Sequence, residues 1–329
     1  MVWIQFILSA AVVVFTANKL AEYGDIIAVR TKLGGVFVGT IFLAGATSLP
    51  EMVASISAFK AGVPNLAAGN FFGSNMVNVV LIALVDLINF QVPLLRRVAV
   101  NHALTAALTS VLMLVAIIAI MGHVNIAIGW VGIDSLLLII LYFGGVWLIQ
   151  REGRAQTAVS VAVEPGPEFP SLWRGIIGFV IAATVLILIV PLLVSASTGI
   201  ATITGLGTGF VGTALLSVVT SLPELIAALA AMRMNAFDMA VGNLFGSSVF
   251  NMLALGLSDF FFVDGRFLEA IDENFILVGL LGLLLTNMAL VGNLARVERK
   301  FLFIELDAVA IIIVYLLGMY LLFIRGIGL

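Results

Sequence analysis

The string Thr-Ser-Leu-Pro-Glu occurs twice in this chain, at 47–51 and 220–224, each time inside an apolar stretch. Both copies place a proline and a glutamate where a membrane helix accommodates neither well. Proline removes a backbone donor and clashes with the preceding turn, so a helix breaks or bends there. A charge at bilayer depth costs about 2.5–3.5 kcal/mol for an Asp or Lys at a helix centre, and a Glu is comparable. The same two violations, repeated with the same hydroxyl neighbours, are not a packing pattern. They predict one polar site assembled from two equivalent halves.

Composition places that site in a membrane. Of 329 residues, 62% are apolar and only 10% charged, with a mean hydropathy of +1.24. Such values belong to helical membrane proteins with several spans and not to soluble domains. The absence of cysteine excludes disulfides and thiolate metal sites. A net charge of −3 with no basic cluster excludes a nucleic-acid face. His102 and His123 lie near segment ends and read as interfacial groups rather than ligands. No basic region precedes the first apolar run, which is therefore expected to be a span and not a cleaved signal.

Apolar runs of about 20 residues predict ten spans, at 2–22, 33–59, 65–88, 98–121, 127–149, 173–195, 206–233, 237–262, 271–293 and 302–325. The polar link at 151–172 carries Arg151, Arg154, Glu164 and three prolines, and divides a half at 1–150 from a half at 173–329. A shift of 173 residues lays 38–86 on 211–259 without a gap and gives 20 identities in 49 pairs. Among them are Asn70/Asn243, Gly73/Gly246, Ser74/Ser247 and Asn78/Asn251. The fold expected is an all-α membrane protein. Five spans per half is odd, so the second half enters from the opposite side, giving two inverted five-helix repeats with broken helices at the bilayer midplane. Lys and Arg divide twelve to three between the two sides, which predicts both termini outside and the link at 151–172 in the cytoplasm.

Inversion brings Glu51 and Glu224 together. Two unpartnered carboxylates away from water repel one another, and a bound cation or a proton removes the conflict. Every polar neighbour offers oxygen or amide, the donor set of a hard cation. Thr47 and Thr220 sit one turn before the glutamates, with Ser48 and Ser221 beside them. The break at Leu-Pro is expected to free backbone carbonyls around Ala44, Thr47, Ser217 and Thr220. In the following span Asn70, Ser74 and Asn78 form a stripe at i, i+4, i+8, repeated by Asn243, Ser247 and Asn251. Gly69, Gly73, Gly242 and Gly246 leave room for close helix approach. Asp86 and Asp259 fall near helix ends and are expected to be solvated at the interface. Asp134 and Asp307 read as interface markers, and Trp147 and Trp173 as belt residues.

The two blocks, Gly-x-Thr-Ser-Leu-Pro-Glu followed by Gly-Asn-x-x-Gly-Ser-x-x-x-Asn, resemble the alpha repeats of the sodium/calcium exchanger family, in its prokaryotic form without a regulatory domain. The motifs cover 36–86 and 209–259. The resemblance implies a diamond of four cation sites. Glu51 and Glu224 with the carbonyls of Thr47 and Thr220 would hold Ca²⁺. Ser247 with the Ser217 carbonyl and Glu51 would hold one Na⁺, and Ser74 with the Ala44 carbonyl and Glu224 the other. Asn78 and Asn251 would border the middle site. The first and sixth spans would slide against the remaining bundle. The chain departs from the family at Asn251, where Asp is usual. It also reads Gly-Ala and Val-Val at 45–46 and 218–219, and has Ser217 where alanine is common. With two glutamates and no aspartate the site offers −2, which balances one divalent or two monovalent cations and favours 2:1 exchange.

The expected function is a secondary antiporter exchanging Ca²⁺ for Na⁺ in a prokaryotic inner membrane, with inorganic cations and the lipid bilayer as its partners. No cofactor, no nucleic acid and no protein partner is expected. The alternatives keep the fold and exchange Ca²⁺, Mn²⁺ or Mg²⁺ for H⁺. An intramembrane enzyme would need a nucleophile or a metal-activating histidine near the glutamates, and a channel would need no counter-ion.

Overall fold

The computed structural model describes residues 1–31, 44–88, 94–123, 126–156, 170–295, 300–301 and 304–328. Among these, nine helices are long and apolar enough to cross a membrane. The expected span at 33–59 begins outside the described residues and is seen from Ala44 onward. In chain order the helices are α1 Val2–Arg30, α2 Leu49–Lys60, α3 Pro64–Ile88, α4 Leu94–Gly122, α5 Ile133–Gln156, α6 Leu172–Thr204 and the short α7 Thr208–Val211. A π-helical turn, Gly212–Leu216, leads into α8 Ser217–Thr220. Then follow α9 Leu222–Arg233, α10 Phe237–Leu257, the short α11 Phe267–Ala270, α12 Phe275–Ala295 and α13 Leu306–Arg325.

Burial sorts these helices into a centre and a rim. In α3 and α10, 78% and 83% of the most apolar window is buried, whereas α5, α6 and α13 bury only 22–28%. The two central helices pack on each other and on the helices that carry the glutamates. Rim side chains such as Ile181, Leu188 and Trp173 are exposed, as expected for helices that face lipid tails, which are as apolar as the side chains themselves. Helices α1 and α6 run along each other on one side of the bundle.

Several boundaries differ from the sequence expectation. Helix α1 continues to Arg30, so Lys19 lies within it and pairs with Glu22 at 2.6 Å. Residues 127–132 are not the start of the fifth span. They form a two-residue antiparallel hairpin, Ala127–Ile128 on Val131–Gly132, turning at Gly129 with φ +69°. A second hairpin, Lys300–Phe301 on Ile304–Glu305, stands 173 residues later. Hydropathy could not separate the first from the helix because its strands are themselves apolar. Helix α5 runs on to Gln156, and 157–169, most of the expected link, lies outside the described residues.

Asp86 and Asp259 are not solvated at an interface. Both are buried, at 2% and 0% exposure. Asp259 accepts the amides of Gly132 at 2.8 Å and Phe267 at 2.7 Å, tying the first hairpin to the loop after α10. Backbone N–H groups that leave helices and turns need acceptors, and this carboxylate supplies two at once. Asp134 is also nearly buried, 3.9 Å from Arg266, which in turn bonds Glu269 at 2.6 Å.

Candidate cation-binding site

Both Thr-Ser-Leu-Pro-Glu strings sit at a kink with one geometry. Ser48 (φ −88°, ψ 6°) and Ser221 (φ −90°, ψ 0°) each stand between two helical segments, with the proline at the second position of the new one. Ser48 N donates to Ala44 O at 2.9 Å, and the ladder resumes with Met52 N to Ser48 O at 3.2 Å. The second copy has Ser221 N to Ser217 O at 3.0 Å and Leu225 N to Ser221 O at 3.3 Å. Among the described residues, no helical bond runs from Glu51 N to the Thr47 carbonyl or from Glu224 N to the Thr220 carbonyl. Those two carbonyls are freed at the kink.

The Ala44 and Ser217 carbonyls are not freed, contrary to the sequence expectation. Ala44 O accepts Ser48 N and the Thr47 hydroxyl at 3.1 Å, and Ser217 O accepts Ser221 N, with the Thr220 hydroxyl, which shares its one hydrogen with Asn70 Oδ1, 3.3 Å away. The serine preserves one helical bond through the kink, so the opening falls nearer to the proline.

Each carboxylate is held from the opposite half. Ser221 Oγ donates to Glu51 Oε1 and Ser48 Oγ to Glu224 Oε1, both at 3.4 Å. The two glutamates lie close enough for their charges to interact, and both are 0% exposed. No cationic side chain is paired with either among the described residues. The central helices fix the glutamate backbone. Asn70 Nδ2 donates to Glu51 O at 3.2 Å, and Asn243 Nδ2 approaches Glu224 O at 3.5 Å. Thr220 Oγ1 also donates to Asn70 Oδ1 at 3.0 Å.

The halves differ at their serines. Ser247 Oγ donates to Glu224 Oε1 at 2.9 Å and accepts a short hydrogen bond from Ser48 Oγ, whose one hydrogen is shared between Ser247 and Glu224 Oε1. Its repeat mate, Ser74, is buried with no partner for its hydroxyl among the described residues. The structure thus joins Ser247 to Glu224 by a hydrogen bond. Both residues follow from the same half, 23 positions apart, and α10 brings the serine back beside the glutamate of α9.

Beyond the serines lies a layer that motif reading passed over. Asn78 Nδ2 donates to Ser248 Oγ at 3.3 Å, and Asn251 Nδ2 to Asn75 Oδ1 at 3.2 Å. Positions 75 and 248 are repeat mates occupied by different residues, so a search for identities cannot find them. Their signal is a polar side chain on an otherwise apolar, buried helix.

Helix α3 also runs close against the segment that leads into the second kink. A Cβ at Gly73 would fall 2.8 Å from Thr213 Cα, Thr213 O and Ser217 Oγ, in the π-helical turn before the second kink. The first two are backbone or bonded directly to it and cannot yield locally. Gly73→Ala is expected to separate α3 from that turn, costing about 1–3 kcal/mol. Thermal unfolding in detergent should show a lowered midpoint, with transport reduced in parallel.

Comparison with known proteins agrees with this architecture. The chain is 27% identical to the inner membrane protein YrbG of Escherichia coli (strain K12) over 270 residues, 76% of this chain and 77% of that one. It superposes on the H⁺/Ca²⁺ exchanger CAX with a TM-score of 0.68 at 15% identity, covering 98% of this chain and 88% of that one. It superposes on the sodium-calcium exchanger NCX_Mj with a TM-score of 0.61 at 20% identity, covering 97% and 99%. The family described as sodium/calcium exchanger protein matches residues 1–149 and 174–324. The chain belongs to the sodium/calcium exchanger family of membrane cation antiporters.

Proposed function

We propose that this chain is a secondary antiporter that exchanges Ca²⁺ for Na⁺ by alternating access, with Glu51 and Glu224 at the centre of the ion site. One observation carries the reading, a surplus of buried acceptors. Among the described residues, Glu51 Oε2, Glu224 Oε2, Asn78 Oδ1 and Asn251 Oδ1 are all buried without a hydrogen-bond partner. They form two repeat-related pairs, and each offers only lone pairs. Buried polar atoms are nearly always paired, and each exception asks for a cause such as an ion. Two carboxylate oxygens, two amide oxygens and the freed carbonyls of Thr47 and Thr220 make a ligand set for a hard cation. Ser48, Ser221, Ser74 and Ser247 supply further oxygens at its edge, while the engaged carbonyls of Ala44 and Ser217 would have to release a bond first.

Two carboxylates balance one Ca²⁺ or two Na⁺, so exchange is 2:1 and electroneutral. The repeat is inverted, the Lys and Arg bias puts both termini outside, and the membrane is a prokaryotic inner membrane, as named for YrbG. Sliding of α1 and α6 against the rest changes access. Nothing in the mechanism makes or breaks covalent bonds.

A second reading keeps the site and changes the counter-ion to H⁺. It draws support from the name of the exchanger CAX on this fold and from Asn251, which leaves only two carboxylates for protons to neutralise. The test is ⁴⁵Ca²⁺ uptake into proteoliposomes under an outward Na⁺ or an outward proton gradient at clamped voltage. Na⁺-driven uptake is the expected result. Uptake driven only by protons selects the second reading, and no uptake under either gradient overturns both.

A further inference from the structure

We propose that Ser248 is a positioning residue that decides which end of its amide Asn78 presents to the ion. The proposal rests on the cation site inferred above and names a residue that no motif assigns to it. Ser248 Oγ donates its single hydrogen to Leu244 O at 3.1 Å. Toward Asn78 it can therefore only accept, and the group facing it at 3.3 Å must be Asn78 Nδ2. That fixes the amide. Its Oδ1 points away, buried and without a donor.

The Asn251 amide meets Asn75 instead, whose Oδ1 accepts Asn251 Nδ2 at 3.2 Å. Asn75 offers a donor as well as an acceptor and would serve Asn251 turned either way, so Ser248 is the partner that fixes an amide. Asn78 and Ser248 are at most 2% exposed, so water does not compete for their contact. The link crosses between the halves. An amide turned the other way would aim two N–H groups at a cation and repel it. Ser248 thus acts through Asn78 and turns toward the ion the one end of a neutral group that can hold it.

The test uses the full chain in proteoliposomes, with Ca²⁺ as the probe and KM separated from the maximal rate. Ser248→Ala is expected to raise KM for Ca²⁺ about tenfold with little change in maximal rate. Ser248→Thr and Ser248→Asn, which keep an acceptor, should restore KM. In the double variant Ser248→Ala with Asn78→Ala, KM should be no higher than with Asn78→Ala alone, because the serine acts only through that amide. A wild-type KM in Ser248→Ala, or additive effects in the pair, overturns the proposal. If Ser248→Ala does not fold, Ser248→Cys, which fills the space with a weak acceptor, compared with Ser248→Thr makes the same comparison. Glu51→Gln run alongside separates the two levels. Full transport in that variant removes the cation site itself, whereas its loss together with a normal KM in Ser248→Ala removes only the positioning role.

Discussion

Replacing either Glu51 or Glu224 by glutamine is expected to abolish Ca²⁺ exchange. Glutamine keeps the volume and an acceptor for the opposing hydroxyl, Ser221 Oγ on Glu51 or Ser48 Oγ on Glu224, so the kink should survive. What is lost is charge. At about 4 Å and an effective dielectric near 20, one unit charge attracts another by about 4 kcal/mol, and a divalent ion by about twice that. Even a fraction of this term reduces occupancy more than 100-fold. A carboxylate held for structure alone would show the opposite pattern, since removing a buried charge without a cationic partner relieves an unfavourable burial. Initial ⁴⁵Ca²⁺ uptake rates and detergent melting curves on the same preparations separate these cases. Wild-type exchange in both single variants would remove the glutamates from the site.

Asn251→Asp should turn the proposed electroneutral exchange into a voltage-sensitive one. The substitution raises the charge at the site from −2 to −3, which a Ca²⁺ ion no longer balances but three Na⁺ ions do. Local packing permits the change. Asn251 Nδ2 now donates to Asn75 Oδ1 at 3.2 Å, and an aspartate oxygen in its place would oppose an acceptor. Asn75 carries a buried Nδ2 with no partner, and turning its amide over presents that donor to the new carboxylate. The Na⁺ dependence of uptake should steepen, with a Hill coefficient moving from about 2 toward 3 and imposed membrane potential altering the rate. An unchanged stoichiometry would refute the charge argument while leaving the glutamates in place.

How much of this was legible beforehand depended on the kind of signal. Membrane class and the 173-residue repeat rest on composition or on identical residues, which a linear text preserves, whereas the crossed pairing of Glu51 with Ser221 and Glu224 with Ser48 needed the fold. The hairpin at 127–132 was hidden because its apolar strands continue the hydropathy of α5. The burial of Asp259 was hidden because a carboxylate that satisfies two distant amides looks, in sequence, like one that faces water. Ala44 and Ser217 were misplaced by one turn because a serine before a proline keeps one helical bond that a generic break would lose. Asn75 and Ser248 escaped because they are repeat mates without sharing a letter.

The unequal serines have a thermodynamic consequence. At present Ser247 is closed on Glu224 with Ser48, while Ser74 is released. The mirror arrangement, with Ser74 closed on Glu51 through Ser221 and Ser247 released, uses the same kinds of bonds between equivalent positions. In a transporter whose halves exchange roles, the gap between these two states comes only from positions where the halves differ, such as Ala44 against Ser217, Ser55 against Ala228 and Asn75 against Ser248. Differences of one or two hydrogen bonds amount to about 1–3 kcal/mol, which keeps the minor state between a few tenths of a percent and some tens of percent occupied. Near-degeneracy of this kind lets the occupancy of a single ion decide which way the molecule stands, without any motor beyond the gradient.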